Sequence, residues 1–154
     1  DKFNFQVVIS APNVETDREK IVTLLQKVIK KHHDYHYFNS LGTLNYNSLI
    51  SYCKMVIGNS SSGMVQAPFL MIPTINIGDR QNGRIRHYSI IDTNYDVDSI
   101  ERGIKKAINK DFLSKVKEMK FIYSNGNVAG KMIDTIKSCN IKTEFLQKKL
   151  NFNS

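Results

Sequence analysis

The chain has 154 residues, of which 41% are hydrophobic and 23% charged. This length supports one compact domain with its own core and is short for two full domains. No apolar run approaches the roughly 18 residues of a membrane span, and no stretch resembles a secretory leader, so a membrane protein is not expected.

The net charge of +8 raises the question of nucleic-acid binding. The lysines are spread over the predicted helices, as at Lys27, Lys105 and Lys137, so solvated helix faces explain them and a nucleic-acid partner is not expected. Cys53 and Cys139 lie far apart without CxxC spacing, which favours a reduced, cytoplasmic setting and no metal or redox role for either.

Short β-rich runs alternate with helical patterns along the chain. The runs predicted as strands are 5–11, 35–38, 55–57, 74–77 and 89–91. The predicted helices are 16–33, 45–54, 62–70, a helix from Asp96 or Asp98 to 108, 112–119 and 128–139, with a further turn or two in 143–150. This alternation predicts an α/β fold, a Rossmann-like, doubly wound parallel sheet with helices on both faces. We assign residues 1–154 to a single domain with a helical tail at 142–154.

Three helices carry informative patterns. A capping box formed by Thr16 and Glu19 predicts the start of the first helix, whose apolar stripe runs through 21–29 opposite the lysines. In the second helix, the residues predicted to face inward are Leu49, Ile50 and Cys53. In the last helix, the predicted buried set is Met132, Ile133 and Ile136.

Residues 56–86 contain two apolar runs that each stop at a polar, glycine-bearing loop. The first loop is Gly58 to Gly63, where backbone N–H groups and small hydroxyl side chains suit an anion such as a pyrophosphate. The second is Gly78 to Arg84, which adds positive charge. Because ligands of parallel sheets bind at the carboxyl ends of the strands, both loops are predicted to gather on one rim with Pro12-Asn13 and Ser40-Leu41-Gly42.

Simpler interpretations exist for these residues. The serines at 60–62 could be an ordinary helix cap, and a serine-hydrolase motif is excluded because Asn59 stands where its first glycine is needed. Arg84 and Arg86 could bind a ligand or face a neighbouring domain or subunit. Asp79 could orient Arg80 or cap a turn. The histidines have no zinc-like spacing.

Residues 58–63 read Gly-Asn-Ser-Ser-Ser-Gly, 67–68 read Ala-Pro, and 73–84 read Pro-Thr-Ile-Asn-Ile-Gly-Asp-Arg-Gln-Asn-Gly-Arg. This long, gapless pattern resembles the hydrolysing UDP-N-acetylglucosamine 2-epimerases, which begin sialic and legionaminic acid synthesis. Pro12-Asn13 and the segment 123–127 show weaker similarity. Roughly residues 5–140 can be placed on the family's C-terminal domain.

The resemblance implies one half of a glycosyltransferase-B-like architecture, in which two Rossmann-like domains hold a UDP-sugar between them. It implies elimination of UDP followed by hydration to N-acetylmannosamine, without a metal or redox cofactor. Carried over by position, the residues that bind UDP would be Asn13, Leu41, Ser60, Ser61, Gln66 and Arg80. The residues around them would be Ser62, Gly63, Asp79 and Arg84.

The implied roles differ among these residues. Ser60 and Ser61 would donate to phosphate oxygens, and Arg80 would lie near the UDP moiety. The backbone of Leu41 would meet the uracil, and Asn13 would lie at the rim of the nucleotide-sugar site.

The chain departs from this pattern in two ways. Gln66 stands where the family usually has a glutamate that accepts from both ribose hydroxyls, so a weaker hold on the ribose is expected. The N-terminal domain with most acid/base carboxylates is missing, as is a His-Pro strand before residues 5–11. We therefore expect no catalysis by this chain alone, and a partner domain on the same or a second polypeptide. Homo-oligomer formation is left open.

Two other functions compete with the epimerase interpretation. The C-terminal domain of a UDP-sugar glycosyltransferase would share this architecture, although the Gly-Asp-Arg-Gln-Asn-Gly-Arg loop at 78–84 favours the epimerase. A non-catalytic nucleotide-sugar-binding module is motivated by Gln66 and by the missing half.

Overall fold

A computed structural model of the chain describes residues 3–12, 17–123 and 126–139. The strands are β1 (Val7–Ser10), β2 (Tyr35–Phe38), β3 (Val56–Gly58), β4 (Thr74–Ile77) and β5 (Ile90–Thr93). The helices are α1 (Arg18–Ile29), α2 (Gly42–Tyr52), α3 (Gln66–Phe69), α4 (Val97–Ala107), α5 (Lys110–Glu118) and α6 (Val128–Ser138), and a 3₁₀ turn spans Ser61–Gly63. Three predictions lie outside the described residues: the site residue Asn13, the capping residue Thr16 and the helical tail at 142–154.

The described strands form two parallel sheets. β1 pairs with β2, and β4 lies between β3 and β5 with Thr74 opposite both Val56 and Ile90. Parallel pairing with intervening helices confirms the predicted α/β, Rossmann-like fold class. The alternation of elements predicted a single sheet, whereas the described strands divide between a two-stranded and a three-stranded sheet. The prediction of one sheet failed because the sequence of a strand indicates extended backbone without specifying which strand it pairs with.

The main core lies between the three-stranded sheet and helices α4 and α5. Its buried members are Ile75, Ile91, Ala107, Phe112 and Val116. Asp96 caps the N-terminus of helix α4, because its carboxylate accepts from the Ser99 N–H at 2.7 Å, so Asp96 rather than Asp98 is the cap. Gly103 faces the sheet at close range, since a Cβ there would lie 2.9 Å from Thr93 Cγ2. The glycine inside this helix is therefore explained by packing.

Two predicted apolar faces are not buried. Met132, Ile133 and Ile136 of α6 are 60%, 51% and 67% exposed, so the prediction that they form a buried set is wrong. In α1, Ile21 and Leu24 are likewise exposed. Helical spacing identifies the apolar side of a helix, but burial depends on another element that covers that side. In α2 the inward prediction is confirmed for Ile50, which is buried.

The helix predicted at 62–70 is divided into two short pieces. The 3₁₀ turn ends at Gly63, and α3 then runs over only four residues. Pro68 lies inside α3, where it has no N–H to give to the helix. The irregularity expected from this proline is therefore present.

Candidate functional site

The candidate site lies at the carboxyl ends of β3 and β4. We call residues 58–63 the serine loop and residues 78–86 the arginine loop. Gly58 ends β3 with φ of +146°, and Gly78 follows β4 with φ of +75°. At Gly78 an added Cβ would overlap the ring of Tyr95, so a glycine is required there for both its backbone conformation and its space. The two glycines let both strands turn sharply into their loops at the same edge.

Hydroxyl groups in the serine loop form a directed chain. Ser60 Oγ accepts from the Ser62 N–H at 3.4 Å and lies 3.2 Å from Ser62 Oγ, which donates to it. Tyr46 on α2 places its hydroxyl 2.6 Å from Ser62 Oγ. Because the Ser62 proton is directed to Ser60, Tyr46 is the donor to Ser62. The proton of Ser60 is then available for a further acceptor, which is the requirement for binding an anion.

The serine loop is packed tightly on the sheet below it. Gly63 is buried, and a Cβ at this position would lie 2.7 Å from Thr74 Cγ2. The Thr74 hydroxyl donates to the Gly63 carbonyl at 2.9 Å. A larger residue at 63 would therefore push the 3₁₀ turn away from β4.

The two loops meet at the carbonyl oxygen of Asn59. Gln81 donates to it through Nε2 at 2.7 Å, and Arg80 donates through Nη1 at 3.2 Å. Gln81 is buried, while Arg80 is exposed. A guanidinium is thereby held against the residue that precedes Ser60, so positive charge lies beside the hydroxyl chain.

Further contacts fix the shape of the arginine loop. Asp79 Oδ1 accepts from the Tyr95 hydroxyl at 2.8 Å, and the Asp79 carbonyl accepts from the Asn82 N–H at 2.8 Å. Of the two roles considered for Asp79, these bonds agree with a part in the turn. Arg86 donates to the carbonyls of Gln81 and Arg84, so its guanidinium is directed into the loop.

His87 follows the arginine loop and is buried. Its Nε2 accepts from the Ile122 N–H at 3.1 Å, and its ring stacks on Phe121 with a centroid distance of 4.9 Å. Burial lowers the pKa of His87 below its ordinary value of 6.5. The neutral ring thus holds the segment after α5 against the arginine loop.

The structure brings most of the predicted site residues together. Those in or beside the two joined loops are Ser60, Ser61, Ser62, Gly63, Asp79, Arg80 and Arg84. Gln66 is the first residue of α3, which packs against the 3₁₀ turn. Leu41 precedes α2, the helix that reaches the serine loop through Tyr46.

Sequence reasoning missed three contributors, namely Tyr46, the Gln81 side chain and the inward-directed Arg86. Tyr46 lies in an ordinary helical pattern and gave no signal. Gln81 and Arg86 were inside the informative stretch, but their partners are set by the tertiary fold.

Within the described residues, no group of three histidine, cysteine or acidic side chains could hold a metal ion. None of the described helices has the length and apolar character needed to cross a membrane.

A sequence profile described as UDP-N-acetylglucosamine 2-epimerase matches residues 1–137, which is most of the chain. The chain belongs to this epimerase family. This member is 36% identical over 110 residues to a GDP/UDP-N,N'-diacetylbacillosamine 2-epimerase (hydrolyzing) of Campylobacter jejuni, covering 71% of this chain and 28% of the relative.

Two further relatives of this 2-epimerase family member carry related names. It is 36% identical over 117 residues to the polysialic acid biosynthesis protein P7 of Escherichia coli, covering 74% of this chain and 30% of the relative. A UDP-N,N'-diacetylbacillosamine 2-epimerase (hydrolyzing) of Legionella pneumophila is 28% identical over 145 residues, covering 94% of this chain and 37% of the relative. The chain thus spans about a third of the length of these relatives.

Proposed function

We propose that this chain is the nucleotide-binding part of a hydrolysing 2-epimerase that acts on UDP-N-acetylglucosamine or its diacetylated bacillosamine analogue. The observation that carries the proposal is the junction at the Asn59 carbonyl, where Arg80 is held beside the hydroxyl chain of the serine loop. In a member of the 2-epimerase family, a cluster of hydroxyl, amide and guanidinium donors is suited to the diphosphate of a UDP-sugar.

Each residue has a role in this proposal. Ser60 and Ser61 donate to phosphate oxygens, and Arg80 provides charge-assisted bonds to the diphosphate. Leu41 meets the uracil through its backbone, and Gln66 binds the ribose. Asn13 lies outside the described residues, and its role in binding the nucleotide-sugar stays a prediction. Ser62 acts indirectly, because its hydroxyl is bonded between Tyr46 and Ser60.

The proposed reaction converts the UDP-sugar and water into UDP and the 2-epimeric sugar. A base removes the proton at C2 while the C1–O bond breaks and its electron pair leaves with UDP, which gives a glycal. Water then adds its hydroxyl at C1 and a proton returns to C2 on the opposite face. The contribution of this chain is to stabilise the negative charge that builds up on the departing diphosphate.

The proton transfers require groups beyond the two loops. Asp79 is bonded to Tyr95, and Asp92 is paired with Arg86, so both carboxylates already have structural roles. We therefore propose that the acid and base belong to another domain in a two-domain, glycosyltransferase-B-like enzyme. The 154-residue chain is expected to bind UDP without releasing the epimerised sugar.

Calorimetry with the purified chain tests this proposal. We expect saturable 1:1 binding of UDP, and no epimerised sugar when UDP-N-acetylglucosamine is added. A mixed-sequence oligonucleotide at 50 and 200 mM salt is the comparison, since nucleic-acid binding falls steeply with salt. Tight, salt-dependent oligonucleotide binding without UDP binding would replace the proposal with a basic nucleic-acid-binding function.

A further inference from the structure

The connection between β4 and β5 contains no helix. It runs from residue 78 to residue 89 and includes the arginine loop, although parallel neighbours are usually joined by a crossover helix. Its shape must therefore depend on turns and side-chain hydrogen bonds. Arg86 is at the centre of those bonds.

The guanidinium of Arg86 binds three parts of the structure. Its Nε lies 3.0 Å from Asp92 Oδ2 on β5, and its Nη1 lies 2.7 Å from the Gln81 carbonyl. The same Nη1 lies 3.1 Å from the Arg84 carbonyl and 3.7 Å from Met64 Sδ. One planar group thus connects the sheet, the arginine loop and the segment after the serine loop.

Asp92 is itself fixed by the neighbouring strand. Its Oδ1 accepts from Asn76 Nδ2 at 2.7 Å, and the two residues are directly opposite in the β4–β5 register. Asn76 is fully buried. The carboxylate that holds Arg86 is therefore bonded to a buried side chain of the central strand of the three-stranded sheet.

Gln81 connects Arg86 to the serine loop. Its carbonyl is held by Arg86, while its side chain donates to the Asn59 carbonyl at 2.7 Å. The Gln81 side chain is buried, so its position is set by these bonds and by packing. A continuous path of contacts thus runs from Asp92 through Arg86 and Gln81 to Asn59, next to Ser60.

We propose that Arg86 is a positioning residue that sets the separation and orientation of the serine and arginine loops, and that it does not bind the ligand itself. This inference rests on the proposed function, because the positioned groups are those assigned to the diphosphate. It differs from both roles considered for Arg86 in the sequence, ligand binding and contact with a neighbouring domain or subunit, because the guanidinium bonds to the chain's own loop.

The variants that test this role are Arg86→Lys, Gln81→Met and the double variant, with Arg102→Lys on the exposed side of α4 as the matched control. Lysine keeps the charge but cannot replace the fork of donors. We expect each single variant to weaken UDP binding about tenfold, as the loss of a charge-assisted or buried bond would. Both substitutions act through the same path of contacts. The double variant should therefore bind UDP only slightly less tightly than whichever single variant has the lower affinity.

Backbone amide spectra of the ligand-free protein provide a readout that does not require UDP. Arg86→Lys and Gln81→Met should both shift the amide signals of Asn59 and Ser60, whereas Arg102→Lys should leave them in place. If Arg86→Lys does not fold, Asp92→Asn tests the same path from its other end. Thermal unfolding of each variant separates a local displacement from general destabilisation.

Three results would overturn the inference. They are wild-type UDP affinity in Arg86→Lys, losses that multiply in the double variant, and unshifted Asn59 and Ser60 amides in the ligand-free protein. If the wild-type chain does not bind UDP, the proposed function fails, and the amide shifts still decide whether Arg86 positions the loops.

Discussion

The hydroxyl of Tyr46 lies 2.6 Å from the hydroxyl of Ser62, and this bond connects α2 to the serine loop. It matters because Ser62 in turn donates to Ser60 at 3.2 Å. Tyr46 therefore directs the proton of Ser62 towards Ser60, which leaves the proton of Ser60 available for a further acceptor.

Tyr46→Phe should weaken UDP binding by about 1 kcal/mol, roughly fivefold, because Ser62 loses its donor and can rotate away from Ser60. Calorimetry with UDP measures the change. Tyr52→Phe is the matched control, since Tyr52 lies on the same helix and is 90% exposed. Equal affinities for Tyr46→Phe and the wild type would remove Tyr46 from the account.

Gln66→Glu should tighten UDP binding by on the order of 1 kcal/mol. A carboxylate accepts charge-assisted bonds from both ribose hydroxyls, which are about twice as strong as neutral ones. Gln26→Glu on the exposed face of α1 controls for the added negative charge. If both variants bind UDP as the wild type does, Gln66 does not contact the ribose.

The pH dependence of stability should depend on His87. Because its pKa is lower in the folded chain than the ordinary value of 6.5, the unfolded chain binds more protons between the two values. Its contribution is therefore fully present above about pH 6.5 and is lost as the pH falls through the folded-state pKa.

Urea unfolding at a series of pH values checks this prediction. His87→Gln should lose part of the decline in unfolding free energy that begins as the pH falls below about 6.5. Superimposable profiles for His87→Gln and the wild type would contradict the prediction.

Gly103→Ala should destabilise the fold by about 1–3 kcal/mol, even though alanine favours a helix by about 1 kcal/mol over glycine. The new methyl group would lie 2.9 Å from Thr93 Cγ2 and 3.2 Å from Ile75 Cγ2, so either α4 or these two side chains must move. Thermal unfolding measures the effect, with Ser114→Ala on the exposed side of α5 as the control. An increase in stability for Gly103→Ala would mean that the helix can move without cost.

Local patterns predicted most of the secondary structure. The strands at 35–38 and 74–77 have the predicted bounds, because each is a β-rich run that ends at a loop signal. The cap of α4 at Asp96 follows from capping chemistry that is local in sequence. Features that depend on a few neighbouring residues are therefore readable before the fold is known.

Features that depend on distant residues were not predictable in the same way. The exposure of Met132 depends on what covers α6, and the bond between Tyr46 and Ser62 joins residues that lie 16 positions apart. The sequence placed Arg80 and Ser60 in neighbouring loops, but not their meeting at a single carbonyl oxygen. The division of the strands between two sheets is a property of pairing and left no local signal.

The central claim is that the serine and arginine loops together bind a diphosphate. The most direct test compares the affinities of UDP and uridine for the wild-type chain and for Arg80→Ala, with Arg102→Ala as the control. The account predicts that UDP binds at least tenfold more tightly than uridine, and that Arg80→Ala removes most of this difference without changing uridine binding. Equal affinities of the wild-type chain for UDP and uridine would contradict it.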